Sequence, residues 1–241
     1  MRSITITVDG ETLKGFLFYP PNEKDKNPAV LFIHGWTSAQ DRYTNQAKDL
    51  TGLGVVCLTF DLRGHGGSAG DINNQTRQDF LDDVTAAYDL LIKDNKIDPN
   101  NITVIGSSFG SYLAVLLARH RKVKNLILRV PANYPDALEG PIAKANQDEV
   151  YKSRHLGLQN PSNNMALAAL HNFNGNVLII ESSKDEIIPH QTIEDYINAM
   201  EDKTKLDHIV MEGAPHSLTG SPELKKQAQG ITRNWLEGKI K

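Results

Sequence analysis

Two stretches of the chain set a serine between glycines as G-x-S-x-G: Gly106-Ser107-Ser108-Phe109-Gly110 and Gly66-Gly67-Ser68-Ala69-Gly70. A serine hydroxyl is a weak nucleophile at neutral pH and attacks a carbonyl only beside an activating base. The arrangement that exposes it is a sharp turn between a buried strand and a helix, with the hydroxyl above the sheet. Context separates the two matches. Asn101-Ile102-Thr103-Val104-Ile105 supplies a strand before Ser108, and Tyr112 to Ala118 supplies a helix after it. Small residues at Gly106 and Gly110 let strand and helix approach across the turn. Ser68 has neither flank; polar Asp71-Ile72-Asn73-Asn74 follows it. Ser108 is therefore read as a nucleophile and Ser68 as loop structure.

The elements that must hold Ser108 are written in the apolar periodicity. Ile4 to Val8 alternates as a half-buried strand does, Asp9-Gly10 signals a turn, and Gly15 to Tyr19 is its hairpin partner. Continuous apolar runs follow at Ala29–Ile33, Val55–Phe60, Ile102–Ile105, Val123–Val130, Val177–Ile180 and His208–Met211. Such runs suit strands covered on both faces. Between them lie helical stripes. Phe80, Val84, Ala87, Tyr88 and Leu91 form one, opened by a Thr76/Asp79 capping pair. Ser221-Pro222 opens a last helix, with Leu224, Ala228, Ile231 and Trp235 marking its buried face. Strands alternating with helices predict an α/β fold: a mostly parallel central sheet with an antiparallel N-terminal hairpin and helices on both faces. Residues 131–164 break the rhythm with four prolines and many polar residues. That stretch is read as a short cap or lid inserted in a single domain spanning 1–241.

From His34-Gly35-Trp36 through Asp61-Leu62-Arg63-Gly64-His65-Gly66 and the Ser108 turn to His216, the chain resembles the α/β-hydrolase superfamily. Within it, the sequence is similar to small serine esterases and to hydrolase domains related to serine aminopeptidases and dienelactone hydrolases. It departs from dienelactone hydrolases proper, which carry cysteine where this chain has Ser108. The resemblance implies the chain order serine, acid, histidine. That order removes His34 and His65. Among the other histidines, His216 lies in a loop just past the Ile209-Val210-Met211 strand, where α/β sites sit, and is taken as the base. The acid belongs in the loop after Asn176–Ile180. Asp185 is the choice, Glu186 competes with it, and Asp207 begins a strand rather than ending one. An oxyanion hole needs the backbone N–H of Phe109, after the nucleophile, and one from the His34–Trp36 loop; the resemblance makes that second donor Trp36. The indole of Trp36 also fits a cover over the core, and His34 fits a loop organiser. The Asp61–Ser68 motif reads as a tight structural turn with Arg63 and Asp61 pairing locally. Tyr134, His155, Leu156 and Met165 are candidate substrate-pocket residues.

Composition narrows the rest. With 26 Lys+Arg against 29 Asp+Glu, the net charge of −3 offers no basic surface for nucleic acid. The lone cysteine, Cys57, forms no internal disulfide and sits in an apolar run as a packed thiol. No run of about 18 apolar residues marks a membrane span, and the N-terminus lacks the apolar stretch of a secretory signal. The expected setting is the cytoplasm. No metal or other cofactor is expected, and no phosphate-cradling G-x-x-x-x-G-K-[ST] occurs. The expected activity is cleavage of a small-to-medium carboxylic ester through an acyl-enzyme. Peptide or thioester cleavage by the same groups is the alternative, and a binding module without catalysis is a third reading. Oligomeric state is not legible.

Overall fold

Alternation in the first residues produces a hairpin of β1 (Arg2–Val8) and β2 (Glu11–Phe18), turned at Asp9-Gly10. The computed structural model describes residues 1–241 except Glu23, Asn146, Leu158 and Lys241. The apolar runs form β3 (Asn27–Ile33), β4 (Val56–Phe60), β5 (Ile97–Ser107), β6 (Asn125–Arg129), β7 (Asn176–Lys184) and β8 (Leu206–Pro215). Among the described residues these eight strands make one sheet in the order β1-β2-β4-β3-β5-β6-β7-β8. β1 and β2 are antiparallel to their neighbours, and the strands from β4 to β8 run parallel.

Helices cover both faces, which is why strand residues are apolar without alternation. α1 (Thr44–Thr51) and α7 (Pro222–Lys239) bury Leu50, Ala228 and Leu236 against Val30, Ile105, Ile127 and Ile180. The opposite face takes α2 (Arg77–Lys93), α3 (Phe109–Ala118), α5 (Met165–His171) and α6 (His190–Ala199). Thr76 and Asp79 form the expected capping box of α2. The buried stripe of α7 is rotated from its expected position. Ala228, Thr232 and Leu236 go deepest, while Leu224, Ile231 and Trp235 are half-buried. Thr232 hides its hydroxyl by donating to the Ala228 carbonyl, 2.9 Å away, so it enters the core at little cost.

The stretch 131–164 is less irregular than expected. It holds a 3₁₀ turn at Ile142–Lys144 and the helix α4 (Gln147–His155). Among the described residues, no helix is long and apolar enough to cross a membrane.

Chain order and sheet order part company at β3: β4 lies on one side of it and β5 on the other. The connections from β3 and β5 therefore leave the carboxyl edge in opposite directions and open a crevice there. Gly35 and Ser108 stand at that crevice. A Cβ on Gly35 would lie 3.1 Å from the Ser107 carbonyl and 3.4 Å from the Ser108 Cβ.

Candidate active site

Ser108 joins β5 to α3 at φ 53°, ψ −117°, a conformation L-residues rarely adopt. Its surroundings impose it. The Ser108 N–H donates to the Arg129 carbonyl (2.9 Å), and its own carbonyl accepts from Ser111 and Ala132 (2.9 and 3.2 Å). The flanking glycines are sterically required. A Cβ on Gly106 would stand 2.4 Å from the Gly110 carbonyl oxygen, and one on Gly110 would stand 2.2 Å from that of Ile33. Both obstacles are backbone. Gly110→Ala is expected to push α3 away from β3 and to cost about 2–3 kcal/mol. A denaturant midpoint measured beside activity tests this, and both should fall.

Two other non-glycine residues at the same sheet edge have positive φ: Thr37 (55°), past β3, and Val130 (41°), past β6. Positive φ in a valine is an outlier, and such strain gathers where a site fixes its backbone. Gly35 to Ser38 closes as a turn, Ser38 N–H to Gly35 carbonyl 3.1 Å, with Trp36 and Thr37 at its corners. Phe109 opens α3, so its amide belongs to the helix-end donors that have no intrahelical acceptor. The positive end of α3 points the same way.

His216 follows β8 and lines, with Ser108, Gly35 and Trp36, one cavity of about 750 Å³. Its Nδ1 lies 2.8 Å from Asp185 Oδ2 and 3.0 Å from Oδ1. The Asp185 side chain is 3% exposed and His216 18%. Asp185 Oδ1 also accepts the amides of Ile187 and Ile188 (2.8 and 2.7 Å). Glu186 takes a different part of the histidine: its Oε2 accepts the His216 backbone N–H at 3.2 Å. Asp185 therefore orients the ring and Glu186 the backbone.

Ser68 is tied into the backbone, donating to the Asp61 carbonyl (2.6 Å) and accepting the Lys14 amide (3.0 Å). The expected Arg63–Asp61 pair is not formed. Arg63 turns to α2 and meets Asp83 at 2.7–2.8 Å, with Asp79 and Asp9 at 3.4 Å. Asp61 instead accepts the Gln40 amide and side chain and the Gly67 amide. The reason is the turn itself, which folds Gly66 back so closely that a Cβ there would strike the Asp61 carboxylate. His34 does organise the loops. The Leu62 N–H donates to its Nε2 (3.0 Å), so Nδ1 carries the proton and donates to the Gly35 carbonyl (2.8 Å). Burial lowers its pKa to about 4, which keeps that tautomer neutral. The Trp36 indole packs edge-on against His65, Phe80 and Phe109. Burial pushes the Cys57 thiol well up.

Tyr134, His155, Leu156 and Met165 are not among the residues lining the Ser108 cavity. Tyr134 is buried against Phe109 and Tyr112 with Arg154 over its ring. His155 stacks on Tyr151 at the surface, Leu156 is exposed, and Met165 opens α5 beside Arg77. The cavity runs instead toward α1 and α7, between Tyr43, Ile105, Ile127, Ile180, Ala228 and Thr232.

The family described as "Serine aminopeptidase, S33" matches residues 24–164, more than half the chain. The chain belongs to this S33 family of α/β hydrolases. An uncharacterised protein of Mycobacterium tuberculosis is 30% identical to it over 218 residues, covering 90% of this chain and 72% of that protein. A mitochondrial palmitoyl-protein thioesterase of Pongo abelii is 25% identical over 195 residues, covering 70% and 60%. Est1E from Butyrivibrio proteoclasticus, solved with ferulic acid bound, superposes with a TM-score of 0.77 at 19% identity, over 98% of this chain and 99% of that one. That likeness is one of fold.

In this S33 hydrolase two positioning devices lie outside the motifs. Arg129, the last residue of β6, reaches three elements at once. It donates to the His216 carbonyl (2.7 Å), the Pro215 carbonyl (3.4 Å), Ser182 Oγ (3.3 Å) and Ser107 Oγ (3.4 Å). A charge ending an apolar strand at the carboxyl edge was its signal in the sequence. Arg129→Met is expected to lower the hydrolytic kcat roughly 100-fold with KM little changed, because the histidine loop loses its anchor to β6. Steady-state kinetics beside a thermal melt separate this from unfolding.

The second device closes the loop that carries Asp185. Glu181, buried in β7, accepts His190 Nδ1 at 2.7 Å and His208 Nε2 at 2.8 Å. Residues 182–189, with Asp185 among them, are thus held at both ends. Glu181 raises the pKa of His190 above its ordinary 6.5. A raised histidine contributes stability below the unfolded value and loses it as pH rises through the folded one. The gap in Tm between wild type and His190→Gln should be widest near pH 6 and narrow toward pH 9, in melts across that range.

Proposed function

We propose that the chain is a serine hydrolase that cleaves a small-to-medium carboxylic ester through Ser108, His216 and Asp185. The observation that carries this is the strained Ser108 elbow sharing one cavity with a histidine whose Nδ1 rests on a buried carboxylate. His216 Nε2 removes the Ser108 proton as Oγ attacks the carbonyl carbon. The Trp36 and Phe109 amides receive the oxyanion, each worth roughly 3 kcal/mol in the transition state. His216 returns the proton to the leaving oxygen, and the ester bond breaks to give an acyl-enzyme. Water, deprotonated by the same nitrogen, then releases the acid. Asp185 holds the ring with its proton on Nδ1 and stabilises the imidazolium that forms.

Residues 131–164 act in this reading as the cap of a single α/β-hydrolase domain, resting on Phe109 through Tyr134. Thioester cleavage is the second reading, favoured by the thioesterase relative. An aminopeptidase is less well supported. A substrate's free ammonium would enter a cavity lined by three cations (Arg42, Arg129 and Lys225) and one carboxylate (Asp41).

Labelling with a fluorophosphonate probe tests the assignment. Labelling of wild type and Ser68→Ala, but not of Ser108→Ala, is expected. A folded wild type that neither labels nor turns over 4-nitrophenyl acetate would refute it.

A further inference from the structure

We propose that the leaving group of this hydrolase's substrate carries an oxyanion, a carboxylate or a phosphate, received by Arg42 and Lys225. This rests on the serine-hydrolase reading above. The charge balance is the first observation. Among the described residues, three cations and one carboxylate line the Ser108 cavity, in a chain whose net charge is −3. Among the described residues none of the three forms an ion pair with a carboxylate, and Arg129 feels Asp185 only beyond contact distance. The acceptors of Arg129 are two carbonyls and two hydroxyls. Arg42 donates to the Thr219 hydroxyl. Half-buried Lys225 has no ion-pair partner among the described residues. Cations left unpaired in a recess are screened less than on an open surface and attract an anion.

The side of the substrate follows from the chemistry. The group that gives a proton to the leaving atom must touch it, so the leaving group lies against His216. The chain running on from His216 forms the next stretch of cavity wall, Ser217 to Gly220. Arg42 is fastened to that wall through Thr219. Lys225 follows on the first turn of α7. There Pro222, Lys225, Gln229 and Thr232 recur at helical spacing, and all line the cavity, so one face of α7 looks in. Ile105, Ile127 and Ile180 supply apolar wall in the same cavity. The surface fits a leaving group with a short apolar body and an anionic tip.

Three acetyl esters test this: 4-acetoxybenzoate, 4-acetoxyphenyl phosphate and the neutral methyl 4-acetoxybenzoate. Each kcat/KM is divided by that ester's own alkaline hydrolysis rate. At least one anionic ester is expected to exceed the neutral one about tenfold in wild type, with the advantage shrinking in high salt. Which of the two gains identifies the tip as carboxylate or phosphate. In the Arg42→Gln/Lys225→Met double variant the advantage should fall to near unity while turnover of the neutral ester holds. Turnover of the neutral ester with no anionic advantage in wild type, or an advantage that survives in the double variant, overturns this proposal alone. No turnover of any ester together with no fluorophosphonate labelling overturns the serine-hydrolase reading, and this proposal with it.

Discussion

Ser108→Ala is expected to lower kcat/KM for an activated ester by roughly 10⁴–10⁶-fold while leaving the fold intact. Alanine keeps the Cβ and the backbone bonds that hold the turn, in which the residue-108 amide donates to the Arg129 carbonyl and its carbonyl accepts from Ser111 and Ala132. Only the side-chain oxygen is lost. Ser68→Ala removes an equally placed motif serine whose hydroxyl is already committed to the Asp61 carbonyl, so turnover should change little. Ser108→Gly separates chemistry from strain. It is equally inactive, yet glycine accepts φ 53°, ψ −117° without the penalty of about 1–3 kcal/mol that a side chain incurs in such a region. Its Tm should stand above that of Ser108→Ala in paired melts. A Ser108→Gly variant no more stable than Ser108→Ala would mean that the elbow is held without appreciable strain.

The local features were legible because local chemistry dictates them. Gly106 and Gly110 must be small where a strand and a helix nearly touch, and of the apolar runs flanking them the β-branched Ile102–Ile105 reads as strand and the Leu- and Ala-rich Tyr112–Ala118 as helix. Asp185 and His216 were reachable because each lies just past a strand that could be counted in order. What the sequence withheld depends on which elements become neighbours. Arg129 ends a strand that lies between β5 and β7, and only that placement gives it Ser107, Ser182 and the His216 carbonyl as acceptors. The lack of period in residues 131–164 points to a pocket there, yet the cavity lies under α1 and α7. Lys225, Gln229 and Thr232 look like the wet face of α7, yet they line the recess, because α7 is rotated to bury Thr232 and Leu236. Arg63 shows the same limit at short range. Two residues from Asp61 in sequence, it faces α2, because the glycine turn gives Asp61 to Gln40 and Gly67.

Asp185→Asn is the second large effect, and its size follows from hydrogen-bond polarity. Oδ1 of Asp185 accepts two backbone N–H groups, from Ile187 and Ile188. Only an oxygen can take that position. The asparagine must therefore set its NH₂ where Oδ2 stood, 2.8 Å from His216 Nδ1. An amide nitrogen there donates, so Nδ1 must accept, and the ring proton moves to Nε2. In the proposed mechanism that nitrogen takes the proton of Ser108, and in this tautomer it has no free lone pair. A fall in kcat of roughly 10⁴-fold is expected with the loop geometry kept, since both amide bonds survive. Glu186→Gln gives the contrast. A glutamine carbonyl still accepts the His216 backbone N–H that Glu186 now accepts at 3.2 Å, so kcat should drop no more than a few-fold. Measuring both variants on one ester assigns the acid. If Glu186→Gln were the crippled enzyme and Asp185→Asn the active one, the carboxylate that serves His216 in catalysis would be the neighbour, and the hydrogen bond from Asp185 to the ring would be structural.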